Sequence, residues 1–157
     1  MRNRDLEKLS KKELINLVML YSKDALTGLR TRRDFELIFE EKFENGEDFN
    51  LVMIDINGLH NMNKISYDAG DALIRKVVEY MKYHCQGNGE IFRLGGDEFV
   101  VLLDSVDIRC KETKNFCMSI VYNTDFKTSG EMFCAADRMV LNAKAEFYKK
   151  PGNGRRF

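Results

Sequence analysis

Leu51-Val52-Met53-Ile54-Asp55-Ile56 is an almost wholly apolar run interrupted by one acid near its end. A run this short and this apolar fits a central strand buried on both faces, because a strand with one wetted side would alternate. A sheet built on such a strand needs cover above and below. The 157 residues, 44% of them hydrophobic, are enough for one domain that can supply it.

The remaining elements follow from periodicity and turn chemistry. Ser10-Lys11-Lys12-Glu13 reads as a capping box, and Leu14, Leu17, Val18 and Tyr21 recur at helical spacing, which predicts a first helix over about 11–22. Packing on its own domain and service as a dimerising or signal-transmitting stalk both fit that helix, so the chain divides into 1–23 and a domain over 24–157. A second helix is predicted from near Arg32 to the turn Asn45-Gly46, with Phe35, Leu37, Ile38 and Phe43 on it. A third follows Gly70-Asp71, carries Ile74, Val77, Val78 and Met81, and stops before Gly87-Asn88-Gly89. Ile91-Phe92-Arg93-Leu94 and Phe99-Val100-Val101-Leu102-Leu103 read as an antiparallel hairpin with Gly95, Gly96, Asp97 and Glu98 at its tip. After a loop over 104–115, Phe116 to Tyr122 is a strand. Met132, Phe133, Ala136, Met139, Val140 and Ala143 mark a last helix to about Tyr148, followed by a basic, turn-rich tail with Arg155 and Arg156. This order argues an α+β fold, a sheet with helices covering it.

Charge and cysteines narrow the function. Lys plus Arg and Asp plus Glu both number 25, so no global field draws the chain to nucleic acid or an anionic membrane. Four cysteines without CxxC pairing and two histidines suggest neither a zinc site nor a disulfide framework, and reduced cytosolic thiols are the simpler reading. The charged start lacks the apolar stretch of a signal peptide and no run approaches a membrane span, so the expectation is a cytoplasmic domain. A sensor domain or membrane segment elsewhere in a longer protein is compatible with this.

The chemistry concentrates in the acids. Asp55 ends a buried strand while Asp97 and Glu98 occupy a glycine-rich hairpin tip, and carboxylates near a core must be paired, hydrogen-bonded or metal-bound. A solvated strand end with an ordinary polar turn is one reading. The other is a site for two hard cations, about 3.5 to 4 Å apart, that activates a 3′-hydroxyl and neutralises a triphosphate during in-line displacement. Gly95 and Gly96, without Cβ atoms, would let a nucleotide approach the backbone closely.

Four ordered blocks resemble the GGDEF family of diguanylate cyclases across about residues 24–144. They are Asp24-Ala25-Leu26-Thr27-Gly28-Leu29-Arg30-Thr31-Arg32-Arg33; Asp55-Ile56-Asn57-Gly58-Leu59-His60-Asn61-Met62-Asn63 with Gly70-Asp71; Gly95-Gly96-Asp97-Glu98-Phe99; and Ala136-Asp137 with Ala143-Lys144. The resemblance implies a palm-type, ferredoxin-like core with a mostly antiparallel sheet. It implies condensation of two GTP into cyclic di-GMP with release of pyrophosphate, by two Mg²⁺ or Mn²⁺ ions, in a transient homodimer of domains face to face. Asp97 and Glu98 would be catalytic; Asp55, Asp97, Glu98 and the Ile56 carbonyl would hold metal. Asn63 and Asp71 would read guanine, Lys144 would contact the triphosphate, and Leu59, His60, Gly95 and Gly96 would lie against the nucleotide. On the residues alone, Asn63 also fits a loop cap, Asp71 a helix N-cap and Lys144 a solvated helix lysine.

The chain departs from the family in five places. His60 stands where the family usually has Lys, and the segment 64–69 is about one residue short and lacks the usual Gly-His pair. Residues 104–115 are too few for the usual crossover helix, which would leave one sheet face less covered and favour a partner. Tyr148 falls where an arginine follows the final-helix lysine, so Arg155 or Arg156 could substitute only if the tail folds back. Gln86-Gly87-Asn88-Gly89 replaces the RxxD product-inhibition motif. Two further readings follow: a cyclic-oligonucleotide synthetase using ATP or mixed bases, and a degenerate GTP-binding or regulatory module.

Overall fold

The computed structural model describes residues 9–10, 22–85, 89–104 and 111–153. The helix expected over 11–22, apart from its last residue, and the tail arginines lie outside the described residues. The elements are β1 (Arg30–Thr31), α1 (Arg32–Glu44), β2 (Asn50–Ile56), α2 (Leu59–Ile65), α3 (Tyr67–His84), β3 (Gly89–Arg93), β4 (Glu98–Leu103), β5 (Phe116–Tyr122), a 3₁₀ turn (Asn123–Asp125) and α4 (Ser129–Lys149).

One sheet carries them in the order β1-β3-β4-β2-β5. Every pairing is antiparallel except β1 on β3, so the α+β class with a mostly antiparallel, palm-type sheet holds. Leu51–Ile56 lies inside the sheet, flanked by β4 and β5, and every residue of β2 is buried. Alternate side chains of β2 feed two cores. Leu51 and Met53 join Val100, Leu102, Cys117 and Val121 beneath Phe35 and Phe39 of α1 and Met132, Ala136 and Val140 of α4. Val52, Ile54 and Ile56 join Phe99, Val101, Leu103 and Phe116 beneath Ile74, Val77, Val78 and Met81 of α3.

Two helix starts differ from expectation. The third helix begins at Tyr67, four residues before Asp71, because the Ser66 hydroxyl accepts the Ala69 N–H and caps it. Gly70, which reads as a breaker, is accommodated inside that helix, and Asp71 is therefore not an N-cap. A separate seven-residue helix, α2, precedes it, in a segment to which the sequence pattern assigns no element. The last helix likewise starts at Ser129, ahead of its first apolar residue, on a Thr128 side chain that accepts the Glu131 N–H. The described part of 104–115 is not helical, and Met118 and Ile120 of β5 are only partly buried on the α3 face. Among the described residues no helix is long and apolar enough to cross a membrane.

Candidate active site

The site forms where β2 ends beside the β3–β4 hairpin. The Ile56 N–H donates to the Asp97 carbonyl at 2.9 Å, which fixes the hairpin tip against the strand end. Arg93 shapes that tip, donating from Nε to the Gly95 carbonyl at 3.0 Å and from Nη2 to the Gly96 carbonyl at 2.8 Å. Its third arm reaches Asp24 at 2.9 Å. Asp24 is itself fixed by a turn in which Thr27 donates twice to its carboxylate and Gly28 takes a left-handed φ of 67°. Burial alone would raise the Asp24 carboxyl, but the hydrogen bonds from Thr27 and Arg93 hold it below the ordinary range. Asp24 and Arg93 thus position Asp97 without belonging to the expected site. The signal for them was available: an arginine two residues before the glycine pair and an acid opening the first family-like block.

Asp55 is 6% exposed and meets Lys144, which is 3% exposed. The Lys144 ammonium donates to Asp55 Oδ1, to the Ile56 carbonyl at 3.2 Å and to Asp97 Oδ2 at 3.4 Å. The solvated-lysine alternative is therefore overturned. Lys144 continues the buried row Met132, Ala136 and Val140 on α4, each one turn from the next, and that row lies over the sheet.

Glu98 is opposite Asp55 in the β2–β4 register, yet its half-exposed carboxylate pairs at 3.5 Å with Arg32, the first residue of α1. Arg32 also donates to the Leu94 carbonyl at 3.1 Å and so fastens α1 to the hairpin. Among the described residues no group of three or more His, Cys, Asp or Glu side chains is gathered as a metal would need. What is gathered is two carboxylates and one backbone carbonyl, already arranged around a cation. Those hard oxygens suit Mg²⁺ or Mn²⁺, which commonly take only one or two protein carboxylates and complete their shell with water and phosphate. On that observation the residues fit the expected ion.

Four of the remaining expected residues lie on α2 and α3. Leu59 is buried at the start of α2 and His60 is exposed beside it. Asn63 on α2 lies directly over Gly70 of α3, so close that a Cβ on Gly70 would stand 1.8 Å from Asn63 Oδ1. Asp71 is the next residue, half-exposed and 3.9 Å from Arg75. The α2–α3 junction thus sets Asn63 against Gly70, the residue before Asp71, and the N-caps of these helices are Gly58 and Ser66 rather than Asn63 or Asp71. Gly95 and Gly96 lie at the hairpin tip, and a Cβ on Gly96 would meet nothing within 4 Å.

Tyr148, one turn beyond Lys144, accepts the Gly58 N–H at 2.9 Å. Asn57, between these contacts, keeps a buried amide nitrogen with no hydrogen-bond partner, while its carbonyl oxygen takes a weak bond from the Cys117 thiol at 3.5 Å. Burial pushes the Cys117 thiol above its ordinary range, so it stays protonated.

Comparison with known proteins bears on this arrangement. The family described as "Diguanylate cyclase, GGDEF domain" matches residues 21–145. An uncharacterized membrane protein of Staphylococcus saprophyticus, SSP1970, is 29% identical over 153 aligned positions, covering 78% of this chain and 43% of the relative. The probable diguanylate cyclase DgcC of Escherichia coli is 30% identical over 92 positions, covering 55% of this chain and 25% of the relative. The chain therefore spans less than half of either protein. The solved coiled coil and GGDEF domain of DgcB from Caulobacter crescentus, in complex with c-di-GMP, superposes with a TM-score of 0.75 at 17% identity, covering 91% of this chain and 90% of that one. With the family match extending over most of the chain and the sheet shared, this protein belongs to the diguanylate cyclase GGDEF domain family.

Proposed function

We propose that this domain condenses two GTP molecules into cyclic di-GMP, and the observation that carries the reading is the convergence of Asp55, Asp97 and the Ile56 carbonyl on one buried cation. Each 3′-oxygen would attack the α-phosphorus of the other nucleotide, and each broken P–O bond would release pyrophosphate, so two substrates give one ring and two pyrophosphates. One site cannot close a ring, hence two domains must meet transiently face to face. Divalent ions, when bound, would lower the cost of ionising the 3′-hydroxyl and neutralise the triphosphate. The chain's own residues would divide the remaining work. Asp55, Asp97 and the Ile56 carbonyl would hold the ions, with Glu98 joining from the same edge if it leaves Arg32. Asn63 would offer the guanine edge a donor and an acceptor, and Asp71 would accept from its N1 and N2 donors. Lys144 would take triphosphate charge, and Gly95 and Gly96 would admit the nucleotide to the hairpin backbone. Leu59 and His60 would border the phosphates. We place such a domain in the cytoplasm, where GTP is available and thiols stay reduced.

Pyrophosphate release with GTP, ATP or an equal mixture, in Mg²⁺ or Mn²⁺, tests the reading. GTP is expected to be consumed and ATP spared. Preferential consumption of ATP would overturn the guanine assignment, and nucleotide binding with no release would make the domain a binding module.

Gly70→Ala separates base reading from folding. Alanine is the better helix residue by about 1 kcal/mol, so the fold should hold or gain slightly. Its methyl group must nevertheless displace the Asn63 amide. Calorimetry with a non-hydrolysable GTP analogue is expected to show about tenfold weaker binding, the loss of roughly one good hydrogen-bond set. Unchanged affinity would remove Asn63 from guanine recognition.

A further inference from the structure

Lys144 is buried to a degree that ammonium groups rarely reach without full compensation, and its compensation is specific. An ammonium has three protons to donate, and here three oxygens accept them: Asp55 Oδ1, the Ile56 carbonyl and Asp97 Oδ2. These are the same oxygens that the proposed function assigns to a divalent ion. The two cations cannot share them, because a small divalent ion needs oxygens at about 2.0 to 2.1 Å and would lie on top of the ammonium. Tyr148, one turn past Lys144, accepts the Gly58 N–H and ties the same end of α4 to the segment that follows β2.

We propose that Lys144 is a built-in competitor for the metal position. In the nucleotide-free protein its ammonium neutralises Asp55 and Asp97, and a divalent ion enters only as the ammonium withdraws. The withdrawn charge needs a new partner in a buried setting, and a polyanionic triphosphate arriving with the metal provides one. Metal and nucleotide therefore bind cooperatively, with Lys144 carrying the coupling. The inference rests on the reading of Asp55 and Asp97 as metal ligands.

Mn²⁺ binding followed by electron paramagnetic resonance tests it, using the full chain as wild type, Lys144→Met and Asp97→Ala. Wild type is expected to bind Mn²⁺ alone weakly and at least about tenfold more tightly with a non-hydrolysable GTP analogue, one decade being about 1.4 kcal/mol of coupling. Lys144→Met is expected to bind Mn²⁺ alone at least tenfold more tightly than wild type and to lose most of the enhancement by the analogue. Equal or weaker binding by Lys144→Met, with wild-type binding that is abolished in Asp97→Ala, would overturn the competitor role and leave the metal site standing. No Mn²⁺ retained by wild type even with the analogue would overturn the metal site and the competitor together.

A measurement on wild type alone covers the case in which Lys144→Met does not fold. Proton–nitrogen spectra of lysine ammonium groups are expected to show a solvent-protected signal for Lys144, which Mg²⁺ with the analogue shifts or abolishes. A signal unmoved by saturating Mg²⁺ and analogue would contradict the displacement.

Discussion

Alanine at Asp97 is expected to abolish condensation while leaving the fold nearly untouched. The Asp97 side chain is 41% exposed and its bond to Lys144 is long at 3.4 Å, so removing it costs little packing. The hairpin tip survives because Arg93 holds the carbonyls of Gly95 and Gly96, and the Ile56 N–H takes the backbone carbonyl of residue 97, which alanine keeps. Lys144 retains Asp55 and the Ile56 carbonyl. Stability measured by urea unfolding should therefore fall by no more than about 1 kcal/mol, the range of a half-exposed ion pair. Catalysis loses more, since one of the two carboxylates that meet the Lys144 ammonium among the described residues is removed. The rate of cyclic dinucleotide formation is expected to drop at least about a thousandfold, near 4 kcal/mol of barrier. Activity equal to wild type would remove Asp97 from the mechanism.

Alanine at Asp55 is expected to damage both properties. Asp55 is buried with Lys144, and deleting it leaves the buried ammonium only the Ile56 carbonyl and the longer contact to Asp97, which costs up to about 3 kcal/mol, the low end of the range for breaking a buried pair. The chain would lose a sizeable part of a typical domain's margin of stability. Asp55→Asn is milder, because an amide oxygen still accepts from the ammonium, yet it removes the negative charge a divalent ion needs. Comparing the two by urea unfolding separates the structural role from the chemical one: Asp55→Asn should recover about half the lost stability and none of the activity. Equal stability of Asp55→Ala and wild type would mean that Lys144 does not depend on this carboxylate.

The fold was legible where the sequence pattern is a packing pattern. Leu51–Ile56 reads as a central strand because both faces of β2 are buried, and the hairpin reads from two apolar runs around a glycine pair. The start of α3 was not legible, because it is set by the Ser66 cap and by the fit of Asn63 over Gly70, a contact between two helices that no local period encodes. At the site, residue types announced Asp55 and Asp97, but side-chain direction came only with three dimensions. Glu98 turns to Arg32 because Arg32, at the start of α1, reaches the tip of the β3–β4 hairpin, and Lys144 turns inward because it extends the apolar row of α4. The two-residue β1 is too short to carry a pattern, and it forms on the edge that β3 provides.

The product formed from GTP is the most direct test of the proposed condensation. Purified protein incubated with GTP and Mg²⁺ or Mn²⁺, its products identified by mass, is expected to yield cyclic di-GMP with two pyrophosphates per ring, and chelation of the metal should stop the reaction. A linear dinucleotide as the end product, a ring containing adenine when both nucleotides are supplied, or intact GTP after prolonged incubation would contradict it.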